Sequence, residues 1–185
     1  MQTFREFYNE SWRARLSVAL ASLFPNVASA DFADEWGKHY QTSNDPRKIE
    51  RARSVMDADI AIPESSKDAI DTAVYIFQGD EGKSASLLRD YLIKTGKVES
   101  HYKHVKQVGG GPARSHWQVE PSTAMSLVKH SYKLFGPKFE EKFGPNALKT
   151  VQSWSVKQWS IALEALPQLG ATMAAATWIA SKWRD

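Results

Sequence analysis

The chain has 185 residues, with 24 Lys and Arg against 21 Asp and Glu, a net charge of +3 and a pI near 9.0. It has no cysteine, which excludes disulfides, thiolate metal sites and a cysteine nucleophile. A hydrophobic fraction of 42% with seven Trp supplies a real core. No run of about 18 apolar residues is present to cross a membrane, and the mild basic bias lacks the concentrated stripe of a dedicated nucleic-acid binder.

In chain order, Phe4, Phe7 and Tyr8 recur at i, i+3 and i+4, which predicts an amphipathic first helix. The same start, MQTFREFYNE, also resembles the short capsid-targeting leader of internal proteins in T4-like phages; the helix is the favoured reading. Leu16 to Phe24 is apolar, preceded by Arg13 and Arg15 and followed by Ala28-Ser29-Ala30, the order of a signal peptide. Glu6, Glu10, Pro25 and Asn26 weigh against it, and an ordinary helix explains the stretch equally well. Phe32, Trp36 and Tyr40 mark a short helix, and Ser43 to Pro46 a turn that caps the next one. Arg47, Lys48, Arg51 and Arg53 read as a solvated helix face. Ile62-Pro63 sets the expected boundary between a helical N-terminal extension, 1–63, and a second domain, 64–185.

Within the second domain, Ile70, Val74 and Phe77 predict a helix over 64–78, broken by Gly79 to Gly82. Ser84 can cap the next helix, whose apolar face holds Leu87, Leu88, Tyr91 and Leu92. It leads through Thr95-Gly96 to Glu99, at or just past the helix end. From His101 to Arg114 the chain is polar and then glycine-rich, a loop or a tight turn between short strands. Pro121 starts a helix through Met125 and Val128 toward Tyr132. Gly136-Pro137 and Gly144-Pro145 predict two further turns. Val156, Trp159, Leu163 and Leu166 form one helical stripe stopped by Pro167; Leu169, Met173, Ala176, Ala180 and Trp183 form another. The Ala-rich run within it allows close helix packing.

The stretch KVESHYKHVKQVGGGPARSHWQVEPST, from Lys97 to Thr123, carries the functional signal. It holds Glu99-Ser100, the turn Gly109-Gly110-Gly111-Pro112, Ala113-Arg114, Trp117-Gln118 and Pro121 to Thr123. In that order it resembles the active-site segment of the lysozyme-like superfamily, in particular soluble lytic transglycosylases and goose-type lysozymes of phage type. Ser115-His116 departs from the Gly-Leu that the family favours. The resemblance implies a mainly α, lysozyme-like domain with a small β or loop wing around 101–119. It also implies cleavage of the β-1,4 MurNAc–GlcNAc bond of a peptidoglycan glycan strand, without a cofactor. Glu99 would be the general acid and then the base. A phage source would follow, in the virion or the host cytoplasm or periplasm, with other phage virion proteins as partners and no specific nucleic acid.

Such chemistry needs a carboxyl that stays protonated near neutrality, and desolvation at the end of an apolar helix provides that. Glu120 is the candidate second carboxylate, which would favour hydrolysis by water; a structural acid at the start of the Pro121 helix is the favoured reading. By matched position in the resembled segment, the resemblance implies that Ser100 and Gln118 bind substrate; Tyr102 and Trp117 can offer flat faces to sugar rings or be core, and Gly111 allows close backbone approach. Arg114 and His116 complete the expected binding set. His101 and His104 near Glu99 lack a metal-binding order, and no metal site is expected. The glycines match no phosphate-binding pattern. The non-enzymatic alternative is a virion or scaffold-associated protein that keeps a lysozyme-like fold for structure; the Ser115-His116 departure is what such a role would tolerate.

Overall fold

The computed structural model describes residues 54–55, 58–78 and 83–181. The leader, signal-peptide, first-helix and basic-cluster expectations, the Gly79 to Gly82 break and the stripe position Trp183 lie outside these residues. The described chain is mainly helical. It contains α1 (Glu64–Gln78), α2 (Lys83–Ser100), α3 (Pro121–His130), α4 (Gly136–Phe143), α5 (Ala147–Gln152), α6 (Val156–Ala165) and α7 (Pro167–Ser181). A single 3-10 turn, Tyr132–Leu134, follows α3.

The core forms where the apolar faces of α1, α2 and α7 meet. Helix α1 turns Ile70, Val74 and Phe77 inward, as its spacing predicts. Ile60 and Ile62 also pack on the core, so the packed unit reaches back past the expected boundary at 63. Helix α7 has no polar face; Ala171, Met173, Ala175 and Ala176 are fully buried. A helix that is apolar all round has to be enclosed, and α7 packs most extensively against α1. Burying Leu169, Met173 and Ile179 stabilises the fold by about 1.5–3 kcal/mol each as an upper estimate. The ring of Tyr91 on α2 stacks on Trp178 of α7 at 4.8 Å.

Helix α2 runs through Thr95-Gly96 and ends at Ser100, next to Glu99 as expected, while two other local readings change in the structure. Thr95 donates its hydroxyl to the Tyr91 carbonyl at 2.8 Å and is buried inside the helix, so Glu99 lies in the last turn. The Gly136-Pro137 turn is the start of α4, because Pro137 occupies the first turn where its missing N–H costs nothing. The stripe on α6 is buried only at Trp159 and Leu163; Val156 and Leu166, at its ends, are exposed. Ser155 and Gln158 close α6 with a reciprocal capping box. Among the described residues no strand forms, and no helix is long and apolar enough to cross a membrane.

Candidate functional site

Glu99 sits one residue before the end of α2, half-buried. Burial holds its carboxyl above the ordinary value of 4.5. No cation and no hydrogen bond compensates that burial among the described residues. A carboxyl in this state is harder to ionise than one in water.

The chain leaves α2 through two successive non-glycine residues in the left-handed region, His101 at φ 52° and Tyr102 at φ 54°. Such positions cost on the order of 1–3 kcal/mol each and persist only where neighbours enforce them. Tyr102 is enforced. Its ring packs over Gly96, where any side chain would collide with it. Its hydroxyl donates to the carbonyls of Ile93 at 3.1 Å and Leu92 at 3.4 Å. Burial pushes that phenol well above its ordinary range. Ser100 completes the exit: its hydroxyl donates to the Gly96 carbonyl at 3.1 Å and accepts from the Tyr102 amide at 3.1 Å.

Residues 101–120, called the wing, form an irregular connection without regular strands. Two isolated antiparallel bridges shape it, Lys106 with Arg114 and Arg114 with Val119. The returning arm is also left-handed at Ser115, φ 66°, and Gln118, φ 50°. The Trp117 indole donates to the same Leu92 carbonyl at 2.8 Å, so both arms of the wing are pinned to one turn of α2. The two rings meet edge to face at 6.2 Å. Gln118 donates its amide to the carbonyls of Ser115 at 2.8 Å and His104 at 3.4 Å, joining the arms again.

These contacts correct part of the expected binding set. Tyr102 and Trp117 are 5% and 3% exposed and have no face for a sugar ring; their bulk and their bonds to α2 place them in the core. The Ser100 hydroxyl is spent on the helix end. Arg114 spends Nε on Glu164 at 2.7 Å and one terminal nitrogen on the carbonyls of Gly111 and Ala113, both at 2.8 Å. At Gly111 the close neighbour is the Gln107 side chain, which accepts from the Ala113 amide at 3.3 Å. Gln118 is half-buried, and its amide oxygen is uncommitted among the described residues.

His116 packs against Tyr102, ring centres 5.7 Å apart. Burial lowers its pKa below 6.5, opposed by a hydrogen bond to the His104 backbone, and its buried Nδ1 has no hydrogen-bond partner among the described residues. Ser115 is buried against α7, where a side chain at Gly170 would come within 2.6 Å of its Cβ. The Ser115-His116 pair is therefore accommodated by a glycine and an aromatic pocket. Glu120 is exposed at the N-cap of α3, with no side-chain capping bond. Among the described residues no three His, Asp or Glu side chains converge on a metal-sized site.

Sequence reasoning missed Gly96, Glu164 and Gly170. An isolated glycine inside a helical pattern is the signal that points to the first and the third, since it marks close packing. Glu164 leaves no sequence signal, because its partner is 50 residues away. No protein-family model matches the chain, and no curated protein or solved structure matches it.

Proposed function

We propose that this protein cleaves the β-1,4 MurNAc–GlcNAc bond of peptidoglycan, with Glu99 as general acid and then base, on a lysozyme-like arrangement of helix, wing and helix. One observation carries the reading: Glu99 is a desolvated carboxyl, uncompensated among the described residues, in the last turn of the amphipathic helix α2. In the first step Glu99 gives its proton to the glycosidic oxygen as the bond to the anomeric carbon breaks. In the second, the sugar's own 6-hydroxyl attacks the anomeric carbon, the new C–O bond forms and the Glu99 carboxylate takes the hydroxyl proton. Where water attacks the anomeric carbon instead, the exposed Glu120 is the candidate base that takes its proton. The uncommitted amide oxygen of Gln118 is the group best suited to accept a sugar hydroxyl. A phage source, with a role in the virion or in host lysis, rests on the resemblance of residues 97–123.

The second reading is a virion or scaffold-associated structural protein. It is favoured by the commitment of Ser100, Tyr102, Arg114 and Trp117 to internal contacts. Turbidity clearing of purified peptidoglycan by the wild type and by Glu99→Gln separates the two. Clearing by the wild type alone is the expected result. Mass spectrometry of the released muropeptides then distinguishes 1,6-anhydro ends from reducing ends, and so assigns Glu120. No release by the folded wild type at any pH from acid to neutral would overturn the enzymatic reading and leave the structural one.

A further inference from the structure

The wing carries four strained non-glycine residues: His101, Tyr102, Ser115 and Gln118. Strain of this kind needs anchors on more than one side. The anchor toward α2 is the Tyr102 and Trp117 pair on the Leu92 and Ile93 carbonyls. The anchor on the opposite side is one carboxylate. Glu164, near the end of α6, takes Arg114 Nε at 2.7 Å with one oxygen and Lys106 Nζ at 3.5 Å with the other. Lys106 and Arg114 are bridge partners, so the two oxygens of a single side chain hold both arms of the wing.

The hold extends further. With Nε fixed by Glu164, the guanidinium presents a terminal nitrogen to the carbonyls of Gly111 and Ala113. Ala113 in turn accepts the Gln107 amide at 3.2 Å. Position is thus passed from α6 through Arg114 to the glycine turn. Glu164 and Arg114 expose only 28% and 21% of their side chains, so water competes weakly for the pair. Gly109 and Gly110 have open space where side chains would lie, and the turn's own bond is the Gly110 amide on the Gln107 carbonyl at 3.2 Å.

We propose that Glu164 is the positioning residue of this protein: it fixes the glycine-rich wing against α6 and thereby sets the geometry of the wing around Glu99. The link to catalysis rests on the reading of Glu99 as the acid; the link to wing position does not. Glu164 touches neither substrate nor reacting atoms in this scheme.

The test is amide hydrogen exchange on the full chain, comparing wild type, Glu164→Gln and the charge-keeping Glu164→Asp. The reporters are the amides of Gln107, Arg114 and Val119, which tie the wing together, with the α7 amides as reference. The expected result is about tenfold faster exchange at the three wing amides in Glu164→Gln, the scale of one charge-assisted bond, with α7 unchanged and a smaller acceleration in Glu164→Asp, which keeps the charge. Unchanged wing exchange in Glu164→Gln would overturn the proposal, and so would equal acceleration across wing and α7. The same proteins are then assayed on peptidoglycan. A fall in kcat with KM held within about twofold is expected. An unchanged kcat in a Glu164→Gln protein whose wing exchanges faster would overturn the catalytic link. An inactive wild type would sink the Glu99 reading, while the exchange result decides the anchoring role on its own.

Discussion

Gly96→Ala is the substitution whose consequence is best defined. Gly96 lies inside α2, where Ala is favoured over Gly by about 1 kcal/mol. On propensity alone the change should stabilise. The new methyl, however, would lie 2.6 Å from Cε1 and from the hydroxyl of Tyr102, and closer still to Cζ. The ring cannot swing away freely, because its hydroxyl is bonded to the Ile93 carbonyl at 3.1 Å and the residue is buried. Overpacking of this kind costs about 1–3 kcal/mol, and the lost hydroxyl bond about 1 kcal/mol more. After the propensity gain, the net loss is about 1–3 kcal/mol, or roughly 2–12 °C in Tm for a chain of this size. Urea denaturation of the single variant, of Tyr102→Ala and of the double variant forms a cycle that isolates the contact. Without the ring, Gly96→Ala should be neutral or stabilising by up to about 1 kcal/mol. Equal or greater stability of Gly96→Ala in the wild-type background would refute the reasoning, as would the same effect in both backgrounds.

Two further outcomes follow from the site. Because burial raises the Glu99 pKa above 4.5, the folded state holds the proton over a range where the unfolded chain has lost it, so stability falls as pH rises from 4.5 through the folded pKa. Glu99→Gln should remove that slope, making the variant more stable than wild type at neutral pH and equal to it at acid pH; denaturant midpoints across pH check this, and parallel curves would contradict it. His101 is exposed and left-handed, so His101→Gly should raise stability by up to about 1 kcal/mol. A lower urea midpoint would mean that its side chain makes a contact the geometry does not account for.

The helices of the core could be read in the sequence because their apolar spacing is local. Ile70, Val74 and Phe77 repeat at helical intervals, and the structure gives the helix the expected bounds, Glu64 to Gln78. Glu99 at the end of an apolar helix was legible for the same reason. Pro137 was harder: a Gly-Pro pair signals either a turn or a helix start, and only the following residues decide which. Aromatic residues near a candidate site gave no sign of direction. Tyr102 and Trp117 read equally well as sugar platforms or as core, and what settles it is the Leu92 carbonyl, which accepts from both.

The amino-acid pattern alone determined a cysteine-free, mainly helical chain with Glu99 at a helix end ahead of a glycine-rich turn, since composition and periodicity act over a few residues. The tertiary structure decided which polar groups are spent. Arg114 reads as a free cation along the chain, and it becomes a strut only because α6 brings Glu164 to it from 50 residues away. Ser115 departs from the resembled pattern, and it is tolerated only because α7 has no side chain at Gly170. These are contacts between distant segments, and no local pattern encodes which segments will meet.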